Sequence, residues 1–189
     1  MGRWEPNARE RLSRAALELF TEHGYDSTTV AEIAERAGLT KRTFFRYFAD
    51  KREVLFAGQD GLSRIIAEKI IGADGSASPL EAIGAGLEGL DVIFADERRQ
   101  WARQRHDVIT GNDELREREL LKSAAIATAL AAALRERGVP DLTAELAAEA
   151  GNLAFRTSFT RWIEPSHEQG FAEVVRQTIK ELQAAVTHI

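Results

Sequence analysis

Thr28 to Phe48 reads TTVAEIAERAGLTKRTFFRYF. Thr29 followed three residues later by Glu32 is a capping box, in which a hydroxyl and a carboxylate reciprocally satisfy amides that open a helix. That helix should run to about Arg36 and end at Gly38, since glycine takes a positive φ without steric penalty. Thr40 can cap a second helix through about Tyr47. Two helices crossing steeply need a small side chain where they touch, and Ala34 supplies it. Ile33, Ala37, Leu39 and Phe44 make the inner face apolar, and Tyr47 and Phe48 can close the unit against a preceding helix. These positions together predict a helix-turn-helix. The alternative is two short core helices joined by a glycine turn.

Charge separates the two. From Arg36 to Arg52 the chain has six cations (Arg36, Lys41, Arg42, Arg46, Lys51, Arg52) and one acid, Asp50, a local balance of +5 on a chain of net charge −5. A basic patch on an acidic protein fits a polyanion, although a solvated face would look similar. In a helix-turn-helix the second helix enters the major groove with its N-terminal residues leading. Lys41 and Arg42 hold those positions and are assigned to base edges, where arginine can bond guanine bidentately. Thr29, Thr43, Tyr47 and Lys51 are assigned to the phosphate backbone. Thr40 supplies a further short hydroxyl, and Phe45 and Arg46 complete the candidate DNA-binding set.

Outward from this stretch the chain reads as all-α. Arg9 to His23 carries Leu12, Ala15, Ala16, Leu19 and Phe20 on one stripe, with Gly24 beyond it as a cap. Asp50 with Glu53 is expected to open a fourth helix carrying Val54, Leu55, Leu62, Ile65, Ile66 and Ile70. A Gly/Ser loop, GADGSAS, follows. Ser78-Pro79-Leu80-Glu81 restarts a helix with cap, N1 proline and box glutamate. Further helices are expected at roughly 79–95, 97–110, 113–137, 142–163 and 167–187, about nine in all. Short helices come first and long ones after. The expected organisation is a small DNA-binding unit over residues 1–52 and a larger helical bundle over residues 53–189, to which the resemblance given below assigns ligand binding and dimerisation.

Several function classes are disfavoured. The chain has no cysteine, which removes disulfides, thiol nucleophiles and thiolate metal sites. His23, His106, His167 and His188 form no close-spaced metal pair, and adjacent His106 and Asp107 cannot face one another on a helix. No glycine-rich phosphate loop follows a strand. No enzyme, metal or cofactor is expected. No apolar run is long enough to span a membrane, the first twenty residues lack a signal-peptide core, and Pro6 breaks a myristoylation pattern after Gly2. A cytoplasmic protein is expected.

The run TTVAEIAERAGLTKRTFFRYFADKREVL resembles the DNA-binding signature of TetR-family bacterial transcriptional regulators. The matching features are the capped Thr29 helix, Ala34, Gly38, Thr40-x-x-Thr43, Tyr47-Phe48, and Lys51 after a short turn, over about residues 8–56. Phe45 departs from the tyrosine often found there, whose hydroxyl often bonds a phosphate. Phe45 could still pack on a thymine methyl or a sugar. The resemblance implies a homodimer on a palindromic double-stranded DNA operator, paired through the last two long helices. It also implies a small-molecule effector that binds the C-terminal bundle, shifts the fourth helix and releases the DNA, with repression the usual mode. A ligand-independent or architectural DNA-binding dimer is the competing class.

The pocket candidates come from helix faces. Trp101, Arg105 and Ile109 share one face with His106 beside it, and Asn152 and Arg156 lie one turn apart near Phe155 and Phe159. They could supply the few polar groups that a mostly apolar pocket needs. Arg105 could equally pair with an acid, and Asn152 and Arg156 could lie at a dimer seam. For that seam the candidates are the stripe Leu146, Ala150, Leu153, Thr157 and the last helix with Phe171, Val174, Val175, Thr178, Leu182 and Val186.

Overall fold

The computed structural model describes residues 8–187, without the side chains of residues 59, 60, 186 and 187. The expectations at Gly2, Pro6, Val186 and His188 therefore lie outside what is described. Among the described residues there are nine α-helices and no strand. They are α1 (Ala8–His23), α2 (Val30–Arg36), α3 (Lys41–Tyr47), α4 (Gln59–Ile71), α5 (Pro79–Glu88), α6 (Arg99–Thr110), α7 (Asp113–Glu136), α8 (Asp141–Trp162) and α9 (Phe171–Thr187). None is long and apolar enough to cross a membrane.

The chain forms two compact units, one of residues up to Gly58 together with Gln104–Glu119, the other of Gln59–Arg103 and Leu120 onward. The expected boundary after residue 52 is therefore displaced to Gly58, and a distant segment joins the first unit. The cause is apolar. Ile109 and Leu115 are fully buried in the same core as Leu12, Phe20, Ile33, Phe44 and Leu55. Polar contacts add to it within the unit: Arg118 donates to Glu53 at 2.5 Å, and Arg52 pairs with Glu114 at 3.2 Å.

The expected fourth helix is interrupted. Asp50 does accept from the Glu53 amide at 3.1 Å, but the turn it opens, Arg52–Phe56, is a 3-10 helix. Ala57 is extended and Gly58 has φ +90°, so α4 starts afresh at Gln59. Val54, Leu55 and Phe56 thus belong to the first core, while Leu62, Ile66 and Ile70 belong to the second.

In the second unit Ser78 caps α5 through the expected box with Glu81. The helix ends at Glu88 rather than near residue 95, giving way to 3-10 turns at Gly89–Val92 and Asp96–Arg98. Close packing explains two glycines here. A Cβ on Gly86 would lie 3.0 Å from the side chains of Ile66 and Ile70, and one on Gly151 would lie 2.6 Å from Ile83. α9 begins at Phe171 rather than 167, because the preceding loop is used otherwise: Arg99 donates to the carbonyls of His167 and Gln169. One face of α9, with Phe171, Val174, Val175, Thr178 and Ile179, is buried in this core.

Candidate nucleic-acid interface

The bend between α2 and α3 is built by backbone chemistry that only one residue type accommodates well. Gly38 has φ +64°; its amide bonds the Glu35 carbonyl at 2.8 Å, and the Leu39 amide bonds the Ala34 carbonyl at 2.8 Å. This is a Schellman closure, which ends a helix by satisfying its last carbonyls around a left-handed residue. Arg11 of α1 donates to the Ala37 carbonyl at 2.5 Å, holding the same turn from the other side. That contact was not anticipated from sequence, because a surface arginine on an amphipathic helix carries no signal of its distant partner.

Both expected caps form. The Thr29 hydroxyl accepts from the Glu32 amide at 3.3 Å, while the Thr29 amide and hydroxyl each donate to Glu32 Oε2 at 2.7 Å. These hydrogen bonds, the hydroxyl's foremost, hold the Glu32 carboxyl below its ordinary range. Thr40 accepts from the Thr43 amide at 3.1 Å, and the two hydroxyls lie 3.0 Å apart. Phe44 is fully buried and packs at a tilt against Phe48, so the opposite face of α3 is turned outward.

That outward face carries Lys41, Arg42, Phe45 and Arg46. The Phe45 ring is 50 % exposed, with the Lys41 ammonium 6.0 Å from its centroid. The Arg46 guanidinium lies over the Tyr47 ring at 5.0 Å and donates to its hydroxyl at 3.3 Å. Among the described residues none of these three cations has a carboxylate partner, whereas the other three of the basic run are engaged. Arg36 pairs with Glu22 and Glu18. Arg52 pairs with Asp50 and Glu114. Lys51 donates to the carbonyls of Tyr25 at 2.7 Å and Thr28 at 2.9 Å, with its ammonium 4.0 Å from the Tyr25 ring. The patch is therefore narrower than the sequence count implies and centres on α3.

Residues 12–57 match the family model described as "Bacterial regulatory proteins, tetR family". Over that segment the chain is similar to tetR-family regulators. Among its relatives, the transcriptional regulator TcmR of Streptomyces glaucescens is 35 % identical over 82 residues, 43 % of this chain and 36 % of TcmR. The chain spans between 21 % and 53 % of the curated relatives it matches. Its fold is that of FadR from Bacillus subtilis, solved with stearoyl-CoA: TM-score 0.59, 20 % identity, covering 92 % of this chain and 96 % of that one. A regulator from Aquifex aeolicus gives TM-score 0.57 at 19 % identity, covering 94 % and 98 %.

The effector candidates divide between the two units of the chain. Arg105, His106 and Ile109 fall in the N-terminal unit. Ile109 is fully buried in its core. Arg105 is buried, donating to the Leu55 carbonyl at 2.6 Å and to Glu119 at 3.5 Å, over the Phe56 ring at 5.2 Å. Desolvation pushes this guanidinium down from its ordinary value, opposed by Glu119. Its groups are thus used inside the unit. Trp101, Asn152, Phe155, Arg156 and Phe159 fall in the other unit. Trp101 and Arg156 are exposed, and Asn152 is buried with its Oδ1 accepting from Ser123 at 3.1 Å. Phe155 and Phe159 join a ring cluster around Phe94, which sequence reasoning passed over because Phe94 lies in a segment expected to be helical.

Proposed function

We propose that this chain is a sequence-specific transcriptional regulator, a homodimeric repressor that occupies a palindromic operator in the cytoplasm. A small-molecule effector bound in the C-terminal unit releases it. One observation carries the DNA-binding part: Lys41, Arg42 and Arg46 share a short capped helix and have no acidic partner among the described residues, while Arg36 and Arg52 beside them are paired. Desolvating an unpaired surface cation is favourable only against an anion that it meets, and a duplex supplies such charge densely. Lys41 and Arg42 reach base edges, Arg46 and Tyr47 the backbone, and Phe45 a thymine methyl or sugar. Thr29 holds the start of α2 with its hydroxyl donating to Glu32, while Thr40 and Thr43 share one donated proton, which leaves one hydroxyl of the pair to donate to a phosphate.

Dimerisation is supported by α8. Leu142, Leu146 and Leu153 are 68 %, 64 % and 53 % exposed at helical spacing, an apolar stripe that water should not face alone. A two-fold dimer places its recognition helices about 34 Å apart, or a multiple, to meet successive major grooves. An effector can release such a dimer only by binding more tightly to a state with a different spacing.

The reading is tested by fluorescence anisotropy with DNA flanking the gene, at two salt concentrations, against scrambled competitor. Tight, salt-dependent, competitor-resistant binding is expected. A second reading, a DNA-binding dimer without effector, draws on the filled core at Gly86 and Gly151, where no methyl fits. It gains if no compound in a broad screen releases the operator.

A further inference from the structure

Among the described residues, four buried side-chain atoms find no hydrogen-bond partner in the protein: Arg99 Nε, Ser158 Oγ, Trp162 Nε1 and His167 Nε2. Buried polar groups are nearly always paired, so each such atom asks for an explanation. Here all four fall in one neighbourhood of the second unit. The Arg99 guanidinium lies 5.3 Å from the Trp162 ring and donates to the His167 carbonyl. Ser158 and Trp162, both fully buried, stand one turn apart on the same face of α8.

Ser158 differs from the helical threonines and from Ser13 and Ser123, whose hydroxyls donate to the Val54 carbonyl and to Asn152 Oδ1. Thr21, Thr110, Thr128, Thr160 and Thr178 each donate back to the carbonyl four residues earlier. Ser158 makes no such bond. Its donor is left unused inside the protein.

The walls are aromatic. Phe94 has ring centroids of Phe171 at 4.6 Å, Phe159 at 5.6 Å, Trp162 at 5.6 Å and Phe155 at 6.1 Å around it. The other four rings are held by α8 and α9. Phe94 alone sits on an irregular segment, between the 3-10 turns Gly89–Val92 and Asp96–Arg98. A ring in the middle of a ring cluster, carried by the least regular backbone there and bordered by unpaired polar atoms, has the features of a removable plug.

We propose that Phe94 closes a cryptic site for a flat aromatic carboxylate, which takes the place of the Phe94 ring and accepts from the unpaired donors. Trp162 Nε1 and Arg99 Nε can only donate, and Ser158 and His167 can do so, which selects an acceptor. The Arg99 charge favours an anionic one, with Asp96 at 2.5 Å already sharing that charge. The surrounding rings select a flat apolar body. The proposal rests on the reading of the C-terminal unit as effector-binding and assigns that effector a chemical class.

The test uses the full chain without DNA, so it stands apart from the operator assay. Calorimetry compares 1-naphthoate with 1-naphthylmethylamine, the same ring system bearing a cation. Naphthoate should bind at least about tenfold more tightly, the equivalent of one charge-assisted hydrogen bond. Phe94→Ala should strengthen naphthoate binding, since no ring need be displaced. Ser158→Ala should weaken it while raising the melting temperature of the free protein, because an unpaired hydroxyl is removed at nearly constant volume. Equal affinity for the two compounds, or binding of neither, overturns the site. So does a Ser158→Ala variant that melts lower than the parent. Operator binding with no naphthoate site would leave the regulator intact and sink this proposal alone.

Discussion

Lys51→Met separates a structural cation from a DNA-contacting one. The sequence places Lys51 at a helix start where a phosphate contact is natural, yet its ammonium is engaged by the carbonyls of Tyr25 and Thr28 and by the Tyr25 ring. Those carbonyls belong to the loop that delivers Thr29 to the start of α2. Hydrogen bonds from a charged donor contribute about 1.5–3 kcal/mol each, and an exposed cation–π contact about 0.5–1 kcal/mol. The site is half-buried, so the low end applies to both bonds, and methionine keeps most of the stem's packing. The expected loss of stability is about 3–4 kcal/mol.

The deciding assay is the salt dependence of binding to a random-sequence duplex. A residue that neutralises one phosphate contributes about 0.9 to the slope of log K against log salt. A residue that positions a loop contributes nothing to that slope. Lys51→Met is therefore expected to lower the denaturant midpoint and weaken DNA binding with the slope unchanged. Unaltered stability together with a slope reduced by about 1 would refute the reasoning and return Lys51 to the phosphate backbone.

Arg42→Ala should weaken binding to the operator by about 1–3 kcal/mol more than binding to scrambled DNA, and an equal loss on both would make Arg42 a phosphate contact. Leu146→Glu, on the exposed stripe of α8, should shift sedimentation from dimer to monomer without lowering helicity; an unchanged dimer would move the seam elsewhere. Gly38→Ala should cost about 1–2 kcal/mol, from the left-handed backbone and a Cβ that would lie 2.9 Å from Arg11 Nη2; full stability in a denaturant titration would contradict the turn geometry. Burial raises the Tyr25 phenol well above its ordinary value of 10.0, with the Glu114 charge adding to it. The native state thus holds a proton that the unfolded state releases above about pH 10, so stability falls as pH rises past that point. Tyr25→Phe should flatten this alkaline branch, and an unchanged branch would show that Tyr25 does not drive it.

Local chemistry made the first unit legible. Thr29, Glu32, Gly38 and Thr40 act on amides and carbonyls within a few residues of themselves, so spacing alone predicts their caps, and all four are where expected. What spacing cannot show is a partner far along the chain. Ile109 and Leu115 fit any amphipathic helix, and nothing near them announces that they complete a core built around Phe44 and Leu55. The same blindness made Arg105 look like a pocket cation when its guanidinium is taken by Leu55 and Glu119. It also let the fourth helix run through Gly58, where only the positive φ shows the break.

The basic run illustrates the same limit in electrostatics. Six cations between Arg36 and Arg52 look equivalent in sequence. Folding sorts them by what lies across from each: Glu22 for Arg36, Asp50 for Arg52, and two carbonyls for Lys51. The acids that neutralise the run come largely from outside it, from α1 and α7. Counting charge along the chain therefore overstates the patch, and the field a duplex would meet is set by the three cations on α3 that have no acidic partner among the described residues. A chain of net charge −5 can bind a polyanion on these terms, because its acids are spent locally on the cations that build the unit and are absent from the helix that would touch DNA.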